Sequence, residues 1–403
     1  MKIVHISTSD KGGAGIAALR LHKGLLQQNV DSSFLSLFGS GTGETNSEFN
    51  INPSVQLSNL QKIKRKFGLP VTQVERNLRM LKGIKGDYEI FSFPFSDFQI
   101  EQHPLVQSAD IINLHWVAGL INYPSFFKFI KKPVVWTLHD MNPFMGGFHY
   151  NGDKIRNENN FKELENELIH IKQKSLINFK GLTIVSPSKW IADYANNSVI
   201  FNNYDVRVIM NSIDLSVFKP HQSQFSREQF NLPVDKKIIL FVSQSVSNFR
   251  KGFDLLTEAL TELQLGNDVL LVTVGEMPYT NIKNSINLGV INDDHLMSLL
   301  YAASNLFILP SREDNFPNVM LESLGCGTPI IAFNTGGMEE IILTGFNGIL
   351  SESMTSKDLC AAIKLGLNMN TNFDRKEIRK FAEAHFDMAK QANSYINLYK
   401  QLI

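Results

Sequence analysis

The chain has 403 residues, with 39 Lys and Arg against 39 Asp and Glu, so its formal net charge is zero and its pI about 7.2. No global basic field exists to hold nucleic acid, and none is expected as a partner. At about 100–200 residues per domain the length predicts two domains or three, 43% hydrophobic residues exclude a disordered chain, and two cysteines exclude a disulfide framework or a structural zinc site.

The first predicted strand, residues 3–7, begins directly after Met1-Lys2 and runs into Asp10-Lys11, too short a run for a signal-peptide core. No stretch approaches the roughly 18 consecutive apolar residues of a membrane span. A cytoplasmic location is expected. The strand ends in Ser9-Asp10-Lys11-Gly12-Gly13-Ala14-Gly15, and a helix follows with Ala17, Ala18, Leu21, Leu25 and Leu26 on its apolar side. Gly12, Gly13, Ala14 and Gly15 at a helix N-terminus can bring backbone N–H groups to a phosphate, or serve only as a tight turn. The next strand, 34–37, closes without the acid that holds a ribose in dinucleotide folds.

Residues 61–85 form the one charge block, with Lys62, Lys64, Arg65, Lys66, Arg76, Arg79, Lys82 and Lys85 against Glu75. Interleaved Ile63, Phe67, Leu69, Val71, Leu78, Met80 and Leu81 make it partly amphipathic. Two readings stand side by side: a solvated face, or a peripheral contact with an anionic membrane.

Strands are then predicted at 111–114, 134–138, 183–186 and 207–210, and a second set at 238–242, 269–274, 306–309 and 329–332. Apolar Val- and Ile-rich runs alternating with helical stretches predict parallel sheets covered on both faces. Asn211-Ser212, Pro220 and Pro233 break the pattern between the sets. The fold class expected is α/β, two doubly wound Rossmann-like domains facing a cleft. The first spans 1–213 and the second 214–385; a helical pattern runs from Arg375 to Ile403, and its last part, 386–403, is a C-terminal helix that can cross back to the first. Ligands of such sheets sit beyond the carboxyl ends of the strands.

The segment after the strand at 306–309 is the most informative: Pro310-Ser311-Arg312-Glu313-Asp314-Asn315-Phe316-Pro317-Asn318-Val319-Met320-Leu321-Glu322-Ser323-Leu324-Gly325-Cys326-Gly327-Thr328-Pro329. Asp314 or Asn315 can cap a helix, Pro317 suits its first turn, and Gly325 with Gly327 ends it. Glu322 lies five residues past Pro317, roughly 7.5 Å along the axis. A diphosphate or sugar at the tip and a ribose on the Glu322 carboxylate fit that spacing. A solvated Glu322 does not fit its apolar neighbours.

Asp314-x7-Glu322, the Gly325-to-Phe333 run, Gly336-Gly337-x-x-Glu340 and Arg250-Lys251-Gly252-Phe253-Asp254 together resemble the retaining GT-B glycosyltransferases of family 4 (glycosyl transferases group 1). The likeness extends to Val134-Val135-Trp136-Thr137-Leu138-His139-Asp140, Val185-Ser186-Pro187-Ser188-Lys189-Trp190 and Asn211-Ser212-Ile213-Asp214, and the wording is most like members that build bacterial capsule or exopolysaccharide. The resemblance implies GT-B architecture and a nucleotide-diphosphate sugar as donor, held by Gly12, Gly13, Ala14, Gly15, Arg250, Lys251, Glu313, Asp314, Asn315, Phe316, Pro317, Asn318 and Glu322. It implies His139, Lys251 and Asp314 as catalytic residues, with either Glu313 or Asp314 facing the sugar. The resemblance makes the first domain the acceptor side and the second the nucleotide-sugar-binding side; His115, Trp116 and His149 are expected either on the acceptor-side wall or as core aromatics and a capped histidine.

No Asp-x-Asp pair occurs, so no cofactor and no metal are expected, and Arg250, Lys251 and backbone amides take over charge stabilisation. A metal cluster on His115, His139 and His149 is the lesser alternative, since no second ligand stands at close helical spacing. The expected reaction moves a sugar, with retention, to a glycan or lipid-linked hydroxyl. A sugar-nucleotide 2-epimerase and a non-catalytic nucleotide-sugar-binding protein are the competing functions.

Overall fold

The computed structural model describes residues 1–39, 48–52, 54, 57–263, 268–276, 282–368 and 373–403. The chain divides into two compact units, Met1–Ile209 with Ala392–Ile403, and Met210–Gln391.

Among the described residues the first unit holds seven parallel strands: β1 (Lys2–Ser9), β2 (Asp31–Phe38), β3 (Glu48–Asn50), β4 (Ile111–Leu114), β5 (Val134–Thr137), β6 (Leu182–Ser186) and β7 (Asp205–Val208), in the order β3-β2-β1-β4-β5-β6-β7. Every residue of β4, β5 and β6 is buried, as a sheet covered on both faces requires. The last strand sits two residues earlier than 207–210, because its register pairs Ser186 with Val208 and leaves Ile209 to the connection.

The second unit has six parallel strands among its described residues: β8 (Lys237–Ser245), β9 (Val269–Glu276), β10 (Ser285–Asn287), β11 (Leu306–Leu309), β12 (Ile330–Phe333) and β13 (Gly348–Ser351), in the order β10-β9-β8-β11-β12-β13. In both sheets the strand order reverses once, between β1 and β4 and between β8 and β11. Diverging loops at such a reversal leave a crevice at the carboxyl edge.

The helical pattern predicted to run through from Arg375 is interrupted. Helices Arg375–His385 and Met388–Lys400 are separated by Phe386 and Asp387. Ile213 N donates to Phe386 O at 2.9 Å, and Asp387 Oδ1 caps the next helix by accepting from Ala389 N at 2.8 Å. Ala392, Tyr395, Leu398 and Tyr399 of that helix pack with Leu21 and Leu25 over Ile3, Ile111, Val135 and Val185, closing one face of the first sheet.

Candidate active site

In the second unit, the segments after β8 and β11 carry the charged groups. The turn Phe249–Lys251 ends at Gly252, whose φ of +69° is left-handed and where a Cβ would lie 1.9 Å from Pro310 O. Only glycine permits that approach, and the approach sets Arg250 and Lys251 against the loop after β11. Lys251 Nζ donates to Asp314 Oδ2 at 2.6 Å. Arg250 Nη1 lies 3.4 Å from the same oxygen and donates to Glu313 O at 3.0 Å. Burial works to raise the Asp314 carboxyl, but Lys251 and Arg250, with hydrogen bonds from Lys251 and Ser311, outweigh it and hold the group below the ordinary carboxylate range. From behind, Gly336 (φ +62°) presses its backbone to Asp314 O, where a Cβ would stand 1.9 Å away.

Pro317 takes the N-cap position of helix Asn318–Gly325, so neither Asp314 nor Asn315 caps it as the sequence predicts; the Asp314 carboxylate is drawn to the cations instead. Asn315, Phe316 and Pro317 are buried, and Phe316 packs edge-on to Phe386. Glu322 is 8% exposed and accepts from Tyr301 Oη at 3.1 Å. A carboxylate this deep needs such a donor, because stripping its water without compensation costs several kcal/mol, on the order of 2–7 even for neutral polar groups.

In the first unit, helix Gly12–Gln27 starts two residues beyond β1; a Cβ on Gly12 or Gly13 would meet nothing within 4 Å, whereas one on Gly15 would stand 2.5 Å from Ser9 O and Asp10 C. Thr8 N donates to Trp116 O at 2.7 Å and Thr8 Oγ1 to Ala118 O at 2.8 Å, tying the end of β1 to the loop after β4. His115, at the end of β4, joins two further rings: its Nε2 is 2.9 Å from His5 Nδ1 and its Nδ1 is 3.0 Å from His139 Nε2. Burial drives His5 and His115 well below the ordinary imidazole pKa, and lowers His139 to about 4 in spite of the neighbouring Asp140 charge.

Asp140 Oδ2 accepts from Trp116 Nε1 at 2.7 Å and lies 2.5 Å from His149 Nδ1, while His149 Nε2 is 2.8 Å from Ser92 Oγ. Burial acts to raise the Asp140 carboxyl; His149, Asn142 N and Trp116 together hold it low. Lys172 Nζ donates to Asn142 O at 2.5 Å and Met145 O at 2.8 Å, fixing this loop from beneath, and burial pushes its ammonium down to about 7. His115, Trp116, His139, Asp140, Asn142 and His149 line a cavity of about 10 Å³, room for about one water. Among the described residues no group of three or more His, Cys, Asp or Glu is arranged to hold a metal ion.

The predicted residues thus form two clusters, one in each unit. Arg250, Lys251, Glu313 and Asp314 come together; Glu322 has a separate partner. His115 joins His139, whereas His149 belongs with Asp140 and Trp116. Sequence reasoning passed over His5, Asn113, Ser92, Tyr395 and Tyr399. A signal existed for one of them: Asn113 and His115 stand two apart on an otherwise apolar strand, and the register sets His5 opposite Asn113.

Helices Asn59–Lys66 and Gln73–Leu81 occupy the basic block, each opened by a capping box, Ser58 with Gln61 and Thr72 with Glu75. Neither helix buries a residue: Leu60, Val74 and Leu78 are 73%, 65% and 62% exposed beside the lysines and arginines, and Phe67, just past the first helix, is 78% exposed.

Residues 222–385 match the family model described as Glycosyl transferases group 1. Over 97% of this chain and 97% of its own length, the chain is 23% identical to an Escherichia coli (strain K12) protein named as a colanic acid biosynthesis glycosyl transferase, WcaC. Among solved structures, the sucrose-phosphate synthase of Thermosynechococcus elongatus superposes with a TM-score of 0.67 at 17% identity, covering 100% of this chain and 99% of that one. Anabaena HepE in complex with UDP gives 0.66 at 17% identity and covers both chains fully. The two parallel-sheet units and these likenesses together support a glycosyltransferase of GT-B architecture.

Proposed function

We propose that the chain is a retaining, metal-independent transferase of family 4 that moves a sugar from a nucleotide-diphosphate sugar to a hydroxyl of a glycan or lipid-linked acceptor in surface-polysaccharide synthesis, at the cytoplasmic face of a membrane. The observation that carries the reading is the cationic pair Arg250 and Lys251, held 3.4 and 2.6 Å from Asp314 Oδ2 beyond the β8–β11 reversal. A diphosphate leaving group gains charge as its bond to the anomeric carbon breaks, and cations already fixed in place stabilise that charge without reorganising. Asp314 fixes them, and its own charge offsets one of the two, leaving a net positive charge for an incoming anion. HepE binds UDP and has also been solved with UDP-glucose, which supports a nucleotide-sugar donor here.

In this reading Glu322 accepts hydrogen bonds from the ribose. The acceptor hydroxyl attacks the anomeric carbon on the face the diphosphate leaves, and its proton passes to a phosphate oxygen. His139 hydrogen-bonds the transferred sugar. The exposed apolar and basic surface of helices Asn59–Lys66 and Gln73–Leu81 supports a peripheral dwelling at an anionic membrane, where lipid-linked acceptors reside.

The test is steady-state kinetics with a nucleotide-sugar panel and a separate nucleotide-binding assay. Lys251→Ala is expected to lower kcat by on the order of 10²–10³ with a smaller effect on donor affinity, and Glu322→Ala to weaken nucleotide binding. Wild-type behaviour in both variants would refute the donor-site assignment. Nucleotide release that requires no acceptor would favour the epimerase.

A further inference from the structure

Three imidazoles run in line from β1 to the residues just after β4 and β5 of the first unit: His5 Nδ1 to His115 Nε2 at 2.9 Å, and His115 Nδ1 to His139 Nε2 at 3.0 Å. His5 and His115 are 0% and 2% exposed. Burial keeps them neutral, so each ring carries one proton. A line of neutral imidazoles has two directions, with its N–H groups pointing either toward His139 or away from it.

Two observations select the direction. The first is the side chain of Asn113, itself fully buried. Its Oδ1 lies 2.6 Å from Tyr399 Oη and its Nδ2 lies 3.2 Å from Leu114 O, so turning the amide round would set oxygen against a carbonyl oxygen. The same Nδ2 is 2.9 Å from Thr137 Oγ1 and 3.1 Å from His115 Nε2, so its two hydrogens are shared among three neighbours. An amide nitrogen has no available lone pair, so a proton on His115 Nε2 would point against the amide's own hydrogens; Nε2 therefore stays unprotonated and the ring proton sits on Nδ1. The second is His5 Nε2, buried without a hydrogen-bond partner. An orphaned N–H is rarer in native interiors than an orphaned acceptor, which places the His5 proton on Nδ1, facing His115. Both observations make His115 Nδ1 donate to His139 Nε2. His139 then carries its own proton on Nδ1, the nitrogen not tied to His115.

We propose that Asn113 and His115 are positioning residues that lock His139 as the Nδ1–H tautomer, so that it meets the transferred sugar as a hydrogen-bond donor and not as a base. The role toward the sugar rests on the function proposed above; the tautomer does not. With Nδ1 already protonated and Nε2 occupied by His115, His139 has no lone pair left for the acceptor's proton. That agrees with the proton's passage to a phosphate oxygen.

The test is imidazole ¹⁵N–¹H correlation spectroscopy on the full chain near neutral pH, with His139 assigned from the signal lost in His139→Gln. The expected spectrum has His139 protonated at Nδ1 and unprotonated at Nε2; the opposite pattern overturns the proposal without any further variant. In Asn113→Asp, the carboxylate accepts from His115 Nε2 and reverses the line. His139 is expected to switch to Nε2–H, and kcat to fall on the order of 10²-fold while nucleotide affinity holds. An unchanged His139 tautomer in folded Asn113→Asp overturns the positioning role. A switched tautomer with wild-type kcat leaves the line of imidazoles standing and refutes the assignment of His139 to the sugar. Should Asn113→Asp not fold, the wild-type spectrum still decides the tautomer.

Discussion

The buried imidazoles make the stability of the first unit depend on pH within a narrow window. His5, His22, His115 and His139 all have lowered pKa values, His22 and His139 to about 4, with burial the largest cause. In the unfolded chain each titrates near 6.5, so their neutral burial costs nothing above that value and destabilises the fold as the pH drops from 6.5 toward 4. Between about pH 7 and pH 5 the unfolded chain gains roughly 2 kcal/mol per imidazole, about 8 kcal/mol for the four, against a usual net stability of about 5–15. Lys172 adds little slope there, because with its pKa lowered from 10.5 to about 7 its cost builds up as the pH falls through that higher range and is constant below it. The carboxyls of Asp140 and Asp314, also lowered, act only below about pH 4. Trp116, Trp136 and Trp190 are the three tryptophans of the chain and all lie in the first unit, so urea unfolding followed by tryptophan fluorescence reads this unit alone. The urea midpoint is expected to collapse between about pH 7 and pH 5 with little change in slope. Coincident midpoints at the two pH values would show that the rings take up protons while folded, and would refute the sealed, neutral line of imidazoles.

Gly252→Ala forces a side chain into left-handed backbone and onto Pro310 O; a cost of about 1–3 kcal/mol from the backbone alone, and loss of the thermal shift given by nucleoside diphosphates, are the expected results. A variant that keeps that shift would mean Arg250 and Lys251 do not need this approach. Sedimentation with vesicles should be strong for anionic lipid at low salt, weaker at high salt, and absent after Lys62, Lys64, Arg65 and Lys66 are replaced by Gln, with nucleotide binding intact; each basic residue near the surface contributes about 1 kcal/mol. Equal sedimentation with neutral vesicles would return these helices to a solvated face. Turnover is expected to survive EDTA, and activity restored only by added metal would end the metal-independent reading.

Much of the architecture was legible because its signals are local. Buried parallel strands are apolar at every position, and 111–114 and 306–309 coincide with β4 and β11 to the residue. The strands not foreseen, β3, β10 and β13, are short. β3 reads Glu-Phe-Asn and β10 Ser-Ile-Asn, edge sequences held by their neighbours' backbone and not by their own hydrophobicity. The break at Phe386 and Asp387 escaped for a similar reason: it depends on a backbone pairing with Ile213, more than 170 residues earlier in the chain. At the candidate site, individual residues could be named from motif spacing, but their partners could not. Asp314 has the right chemistry for a helix cap, and only the fold reveals that two cations outbid the helix for its carboxylate.

The closing of the first sheet by residues 392–403 has a consequence for how the protein is made. Ile3, Ile111, Val135 and Val185 are synthesised long before Tyr395 and Tyr399 that cover them. On the ribosome the first unit therefore waits, with an apolar face uncovered, through translation of the whole second unit; at about 5–20 residues per second that is roughly ten to forty seconds. Whatever shields that face in the interval, a chaperone or a provisional packing of the strands, acts on an intermediate that has most of its sheet and lacks its lid. Slower translation of the second half of the message should therefore lower the soluble yield of this protein more than slower translation of the first.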